Sequence, residues 1–152
     1  MSDNVFVATN TLEVYLQQAM SGRVSMDEFL KVFVSSELFM PSVTECGDNP
    51  SKLVPLVFRK GSTSMAALFT NLQRIDPFKD KIKDVLAMKG GEFLLRAAPG
   101  FGIVVNPGWP IGFDIADYAI KDLVSRFVPN IGTQHDAPAD FYPAVAQQKD
   151  CN

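Results

Sequence analysis

The run Gly102-Ile103-Val104-Val105-Asn106, closed by Pro107-Gly108, constrains the fold more than any other stretch. Consecutive β-branched residues fit a pleated surface better than a helix, so the run reads as a strand. Proline cannot continue the hydrogen-bonded ladder, and the glycine after it turns the chain. A strand needs neighbours. Trp109 to Asp114 reads as a returning strand, and Ile115, Ala119, Ile120, Leu123 and Phe127 then recur at helical spacing.

The first third of the chain is helical in pattern. Thr9, Asn10 and Thr11 offer capping oxygens ahead of Leu12, Tyr15, Leu16 and Ala19, and Gly22 provides a stop. Ser25 and Glu28 have the spacing of a capping box, with Phe29, Leu30, Phe33 and Val34 as the apolar side of a second helix. From Glu37 the texture changes. Leu38-Phe39-Met40-Pro41 reads as a short strand ended by proline, and Leu53 to Phe58 as a strand at an edge or entered at Pro55. Ser62-Thr63-Ser64 is expected to cap a helix running through Met65, Leu68, Phe69 and Leu72. The polar stretch Gln73 to Lys81 bridges to a strand containing Ile82, Val85, Leu86 and Met88, and Gly90-Gly91 precedes a short helix from Glu92 to Ala98.

These elements predict a single α+β domain over residues 1–128, a mixed β-sheet with helices packed on it and an N-terminal helical pair within residues 1–36. Residues 129–152, with Pro138 and Pro143 and few apolar clusters, are expected to be a loosely draped or disordered tail. The chain has 152 residues, 47% hydrophobic and 20% charged, which is globular composition.

Charge narrows the function. A net charge of -3, with basic residues clustered only at Arg59-Lys60 and the spaced Lys79, Lys81 and Lys83, argues against a nucleic-acid surface. The balance permits a basic protein partner. Cys46 and Cys151 are too few and too far apart for a disulfide framework. No basic leader and no long apolar run occur, so neither a secretory signal nor a membrane span is expected, and the cytoplasm is the expected compartment.

Motifs that would carry chemistry fail one after another. His135, the lone histidine, lies in the tail without ligands or a nucleophile around it. Gly100-Phe101-Gly102 precedes a strand, whereas a nucleotide fingerprint sits between a strand and a helix. Gly90-Gly91-Glu92-Phe93 spells part of a diguanylate cyclase signature but lacks one acidic residue. Arg59 to Ser64 lacks P-loop spacing, yet two cations before a helix start would suit a phosphate. Asp114, Asp117 and Asp122, with Glu92, are carboxylates without visible geometry. Asp114 and Asp117 also suit a helix N-terminus electrostatically. No cofactor and no metal are expected.

Pro41, the Pro55-Leu56-Val57-Phe58 stretch, the Ser62-to-Phe69 segment, Gly91 with Leu94-Leu95, and Gly102 through Gly108 occur in that order. Together they resemble the SseB-type N-terminal domain, named for the enhanced serine sensitivity protein, over roughly Leu38 to Leu123. The resemblance implies a small bacterial domain without established catalytic residues, some of whose members serve as immunity proteins in toxin and secretion settings. In it Pro41, Asn106, Pro107 and Gly108 have structural roles. The opening helical pair is longer than the family's core is expected to be, and the second domain of longer members is not expected here.

The functional expectation is a non-enzymatic module that binds another protein, in its sharpest form a cognate toxin neutralised by occlusion. Glu45, Asp48, Trp109, Phe113, Asp114 and Asp117 are the expected contact residues, since aromatics beside a rigid turn and an acidic rim make interface anchors. The alternative is a regulatory module holding a phosphorylated metabolite at Arg59 to Ser64.

Overall fold

A computed structural model describes residues 6–46, 49 and 52–128. Asp48 and the segment 129–152 lie outside the described residues. Helices α1 (Thr11–Met20) and α2 (Met26–Ser35) open the chain. The Asn10 side chain accepts the Glu13 amide to start α1, and Ser25 with Glu28 forms the full reciprocal capping box of α2. Phe29, Leu30, Phe33 and Val34 are all buried.

Strand β1 (Glu37–Ser42) pairs antiparallel with β4 (Asp84–Lys89). Pro41 does not end the strand as expected but sits inside it, opposite Val85. It is tolerated because the bond it makes there uses its carbonyl, which accepts from Leu56 N–H at 3.2 Å. A second, mixed sheet has the order β2-β3-β5-β6, comprising Val57–Lys60, Thr63–Leu68, Phe101–Val105 and Phe113–Ile115. Isolated bridges at Phe39–Phe69 and Ser42–Pro55 stitch the two sheets together. The expected strand at Leu53 to Phe58 is thus displaced toward Lys60, and it is an edge strand.

The segment expected to be a helix after Ser62 is instead the central strand β3. Lys60 pairs with Thr63 across the two-residue turn Gly61-Ser62, and Gly61 has φ 63°, a left-handed value that a tight hairpin demands. β3 then runs parallel to β5, from Ser64–Phe101 to Leu68–Val105. A 3-10 segment (Leu72–Lys81), capped by Asn71, replaces the featureless bridge expected there. Helix α3 (Gly90–Leu95) begins at the glycines rather than after them, and Gly90 packs so closely that a Cβ there would lie 2.3 Å from the Phe33 carbonyl. α4 (Ile120–Phe127) follows a short 3-10 turn at Asp117–Ala119, and Ile115 belongs to β6 rather than to the helix.

Alternation along β3 and β5 divides the core. Ala66, Leu68, Ile103 and Val105 face the helices, meeting Leu16, Phe29, Phe33, Phe93 and Leu123. Met65, Ala67 and Val104 face the other way and share a smaller cluster with Phe69 and Ile75, against which Phe58 and Phe78 pack. Phe33 is at the middle of the larger cluster, with its ring 6.0 Å from Phe29 and 5.6 Å from Phe113. Phe33→Ala should therefore cost about 3–5 kcal/mol through lost burial and the cavity left behind. Denaturant unfolding monitored by circular dichroism checks this, and a loss under about 1 kcal/mol would mean that the aromatic cluster collapses to fill the gap.

A candidate interaction cleft on a pinned loop

The loop from Asn106 to Gly112 forms one wall of an open cleft of about 320 Å³ beside β6. Val104 and Phe113 contribute apolar lining, Pro107, Trp109 and Pro110 the loop wall, and Lys60 and Asp114 a charged rim. Val104 and Asp114 are register partners on β5 and β6, so their side chains share a face of the sheet.

The wall is held from behind by polar groups that the core has enclosed. Asn106, buried and at φ 57°, receives the Thr70 amide at 3.1 Å on Oδ1 and donates from Nδ2 to Thr70 Oγ1 at 2.9 Å and to the Ile111 carbonyl at 3.1 Å. Thr70 Oγ1 in turn donates to Glu13 Oε2 at 2.6 Å. Glu13 and Arg74 form a two-pronged ion pair, with Arg74 Nε to Oε2 at 2.9 Å and Nη2 to Oε1 at 2.8 Å. Both side chains are buried. The Arg74 guanidinium lies 3.9 Å from the Phe6 ring centroid and 4.8 Å from that of Trp109. Trp109 Nε1 donates to the Arg74 carbonyl at 2.8 Å. Every polar atom named here has a partner, which a buried network requires.

Burial alone would raise the Glu13 carboxyl. Hydrogen bonds from Arg74, Thr70 and the Thr9 backbone, together with the Arg74 charge, outweigh that and lower it to about 2.

The sequence-expected residues divide between core and surface. Trp109 is half-buried and occupied by Arg74 and Phe6. Phe113 is also half-buried, its ring packed against the core 5.1 Å from Phe29. Asp114 is exposed and paired with Lys60 at 2.7 Å, on a rim where side chains are 56% and 39% accessible, so the pair contributes little stability. Asp117 is half-buried at the start of the short 3-10 turn, and Glu45 is exposed in the segment after β1. Pro107 is half-buried, and Gly108, at φ 87°, packs under the Phe78 ring. The structure thus brings Trp109, Phe113 and Asp114 to one cleft; Glu45 is not among its lining. Sequence reasoning missed Tyr118, which is 86% exposed, and Arg74, whose role depends on a partner 61 positions away.

Glu92 and Asp122 are held in i,i+4 pairs with Arg96 at 2.6 Å and Arg126 at 3.4 Å, and Asp27 of α2 also pairs with Arg126 at 3.0 Å. Among the described residues no group of His, Cys, Asp and Glu is placed to hold a metal ion, and no helix is long and apolar enough to cross a membrane. Arg59 to Ser64 is a hairpin turn, so the helix amides that a phosphate site there would use do not exist.

Because the folded carboxyl of Glu13 titrates below its unfolded value near 4.5, the unfolded chain binds the extra proton between those two values. The resulting stabilisation, on the order of 3 kcal/mol, is complete above about pH 5 and disappears as pH falls toward 2. Glu13→Gln should cost about 3–5 kcal/mol near neutrality, because it strands Arg74 in the interior. Its disadvantage against the parent should shrink as pH drops through that window. Urea unfolding of both proteins across the range is the measurement, and parallel pH curves would refute the pairing.

The profile of one protein family, described as the SseB protein N-terminal domain, matches residues 12–122. No curated protein and no solved structure matches the chain. The match starts within α1, so the helical pair lies inside the family's span and is not an addition to it. With the match covering most of its length, the chain belongs to the SseB N-terminal domain family.

Proposed function

We propose that this chain is a non-catalytic protein-binding module, acting in the cytoplasm as an immunity protein that neutralises a secreted bacterial toxin by covering it. The observation that carries the reading is the cleft itself, an open surface walled by a pinned loop and edged by a charged rim. Small-molecule sites enclose most of their ligand and aim a few polar groups inward. This cleft is shallow, and its polar lining is paired or backed by the network behind the loop. A protein segment suits it better, since a preorganised wall lowers the ordering cost of docking.

Occlusion asks for a central anchor and complementary charge. Tyr118 supplies a large exposed ring four positions after Asp114, on the 3-10 turn that packs against β5. Asp114 and Asp117 give this flank an acidic character that suits a basic partner face. The exposed Lys60–Asp114 pair can open and exchange partners at little cost.

The test is capture of the tagged full-length chain from its bacterial host, identification of the bound protein and measurement of its affinity. We expect binding at about micromolar or tighter. Tyr118→Ala and Asp114→Lys should each weaken it by at least about tenfold without altering the melting temperature appreciably. A partner whose affinity ignores both changes would remove the cleft from the account. Turnover of a substrate by the purified chain would remove the non-catalytic reading altogether.

A further inference from the structure

Among the described residues, strand β4 has a hydrogen-bonded neighbour on one side only. Which of its backbone groups are free follows from the bonds of β1. Phe39 exchanges both bonds with Phe69 at 3.0 and 2.8 Å, the Pro41 carbonyl accepts from Leu56, and Val43 donates to the Val54 carbonyl at 2.8 Å. The odd-numbered residues of this stretch thus bond toward the four-stranded sheet. The even-numbered Leu38, Met40 and Ser42 face β4, in register with Met88, Leu86 and Asp84. The bond from Gly90 N–H to the Ser36 carbonyl at 2.9 Å keeps the same parity, which is broken only ahead of the strand, where the Lys83 N–H turns inward to the Ser42 carbonyl at 2.8 Å. Alternation then turns the main-chain groups of Val85, Ala87 and Lys89 outward. The Val85 amide is taken by Asp84 Oδ1 at 3.0 Å, while the Ala87 N–H and C=O have no partner among the described residues.

The side chains along this edge alternate as well. Lys81, Lys83, Val85, Ala87 and Lys89 are exposed, whereas Ile82, Asp84, Leu86 and Met88 are half-buried. The acid within the strand is already engaged, because the Asp84 carboxylate also accepts the Cys46 amide at 3.0 Å. Glu37 lies opposite Lys89 on β1, on the side away from the free edge. What the edge offers a newcomer is an unpaired ladder with a small apolar centre between lysines.

We propose that the free edge of β4 accepts an extended acidic segment of a partner protein as an added strand. Main-chain bonds to Ala87 would supply the pairing, and Lys81, Lys83 and Lys89 would select acidic side chains on the incoming strand. A second copy of this chain fits less well. Antiparallel pairing with Val85 against Ala87 sets Lys83 of each copy opposite Lys89 of the other. The register centred on Ala87 leaves only Val85–Lys89 to pair before α3 begins. This surface is separated from the cleft by β1, β3 and β5, and the inference does not depend on the function proposed for the cleft.

Fluorescence anisotropy of labelled peptides against the full-length chain at low salt tests it. The probes are a peptide of about seven residues alternating Glu and Val, matched to a typical strand, its Lys-for-Glu counterpart, and the acidic peptide N-methylated at alternate amides. Only the unmethylated acidic peptide should bind. Lys83→Glu with Lys89→Glu should weaken it by about tenfold or more. Ala87→Pro should abolish binding while leaving the fold intact by circular dichroism, because the amide it removes points to solvent. If that variant fails to fold, the N-methylated peptide asks the same question of the unaltered protein. Acidic and basic peptides binding alike, or the methylated peptide binding as well as the unmethylated one, would overturn the proposal. So would sedimentation of the chain as a dimer through this edge.

Discussion

The ion pair between Glu13 and Arg74 is the constraint on which the rest of the structure depends. It joins α1 to the 3-10 segment, and its neighbours Thr70 and Asn106 extend the connection to the ends of β3 and β5. Two charges taken out of water are costly, and attraction alone rarely repays the cost unless the leftover donors and acceptors are satisfied. Here Thr9, Thr70 and the Val7 carbonyl take up most of them, and the aromatic faces of Phe6 and Trp109 cover the guanidinium. A purely apolar contact at this junction would tolerate sliding. Directional bonds do not, so the pair fixes where the first helix lies against the sheet and where the Asn106 loop leaves it.

That placement explains how the loop can be both irregular and rigid. Asn106 adopts a left-handed backbone that most residues avoid, and its side chain gains bonds to Thr70 and Ile111 in return. Gly112 lies so close to β5 that a Cβ there would sit 2.2 Å from the Val105 carbonyl. The loop is therefore closed at both ends, and Trp109, the only tryptophan in the chain, is held at its midpoint. A surface fixed in this way is ready to dock without first being ordered.

How much of this could be read from residues alone depended on the range of the forces involved. The capping box of α2 is local, four consecutive residues with one geometry, and it was legible. So was β5, whose β-branched run and Asn-Pro-Gly exit leave little choice. β3 was misread because Thr63–Leu68 is buried on both faces, and an unbroken apolar run has no period to separate strand from helix. Gly61-Ser62 between two apolar stretches is the local hairpin signal there. At the cleft, Trp109, Phe113 and Asp114 were visible as an aromatic and acidic cluster beside a turn. Nothing local announced that Phe113 points into the core against Phe29 and Phe33, or that Arg74 seeks an acid in the first helix. Tyr118 carries the one aromatic ring between β6 and the helix that follows, just after Asp117.

The lysines of β4 show how one physical device can serve two ends. The outer edge of β4, unpaired at Ala87 among the described residues and with a small apolar centre, invites pairing with any extended chain, including another copy. Charges of one sign along that edge penalise self-association, since every register that pairs the whole strand brings like charges together. The same charges leave an acidic strand as the one class of newcomer that meets attraction rather than repulsion. Protection against aggregation and choice of partner are then the same electrostatic term with opposite sign, set by what approaches. Such a term is screened by salt, whereas the buried Glu13–Arg74 pair is screened far less. The molecule therefore separates its electrostatics by depth, with the enclosed pair fixing shape and the exposed lysines left to discriminate.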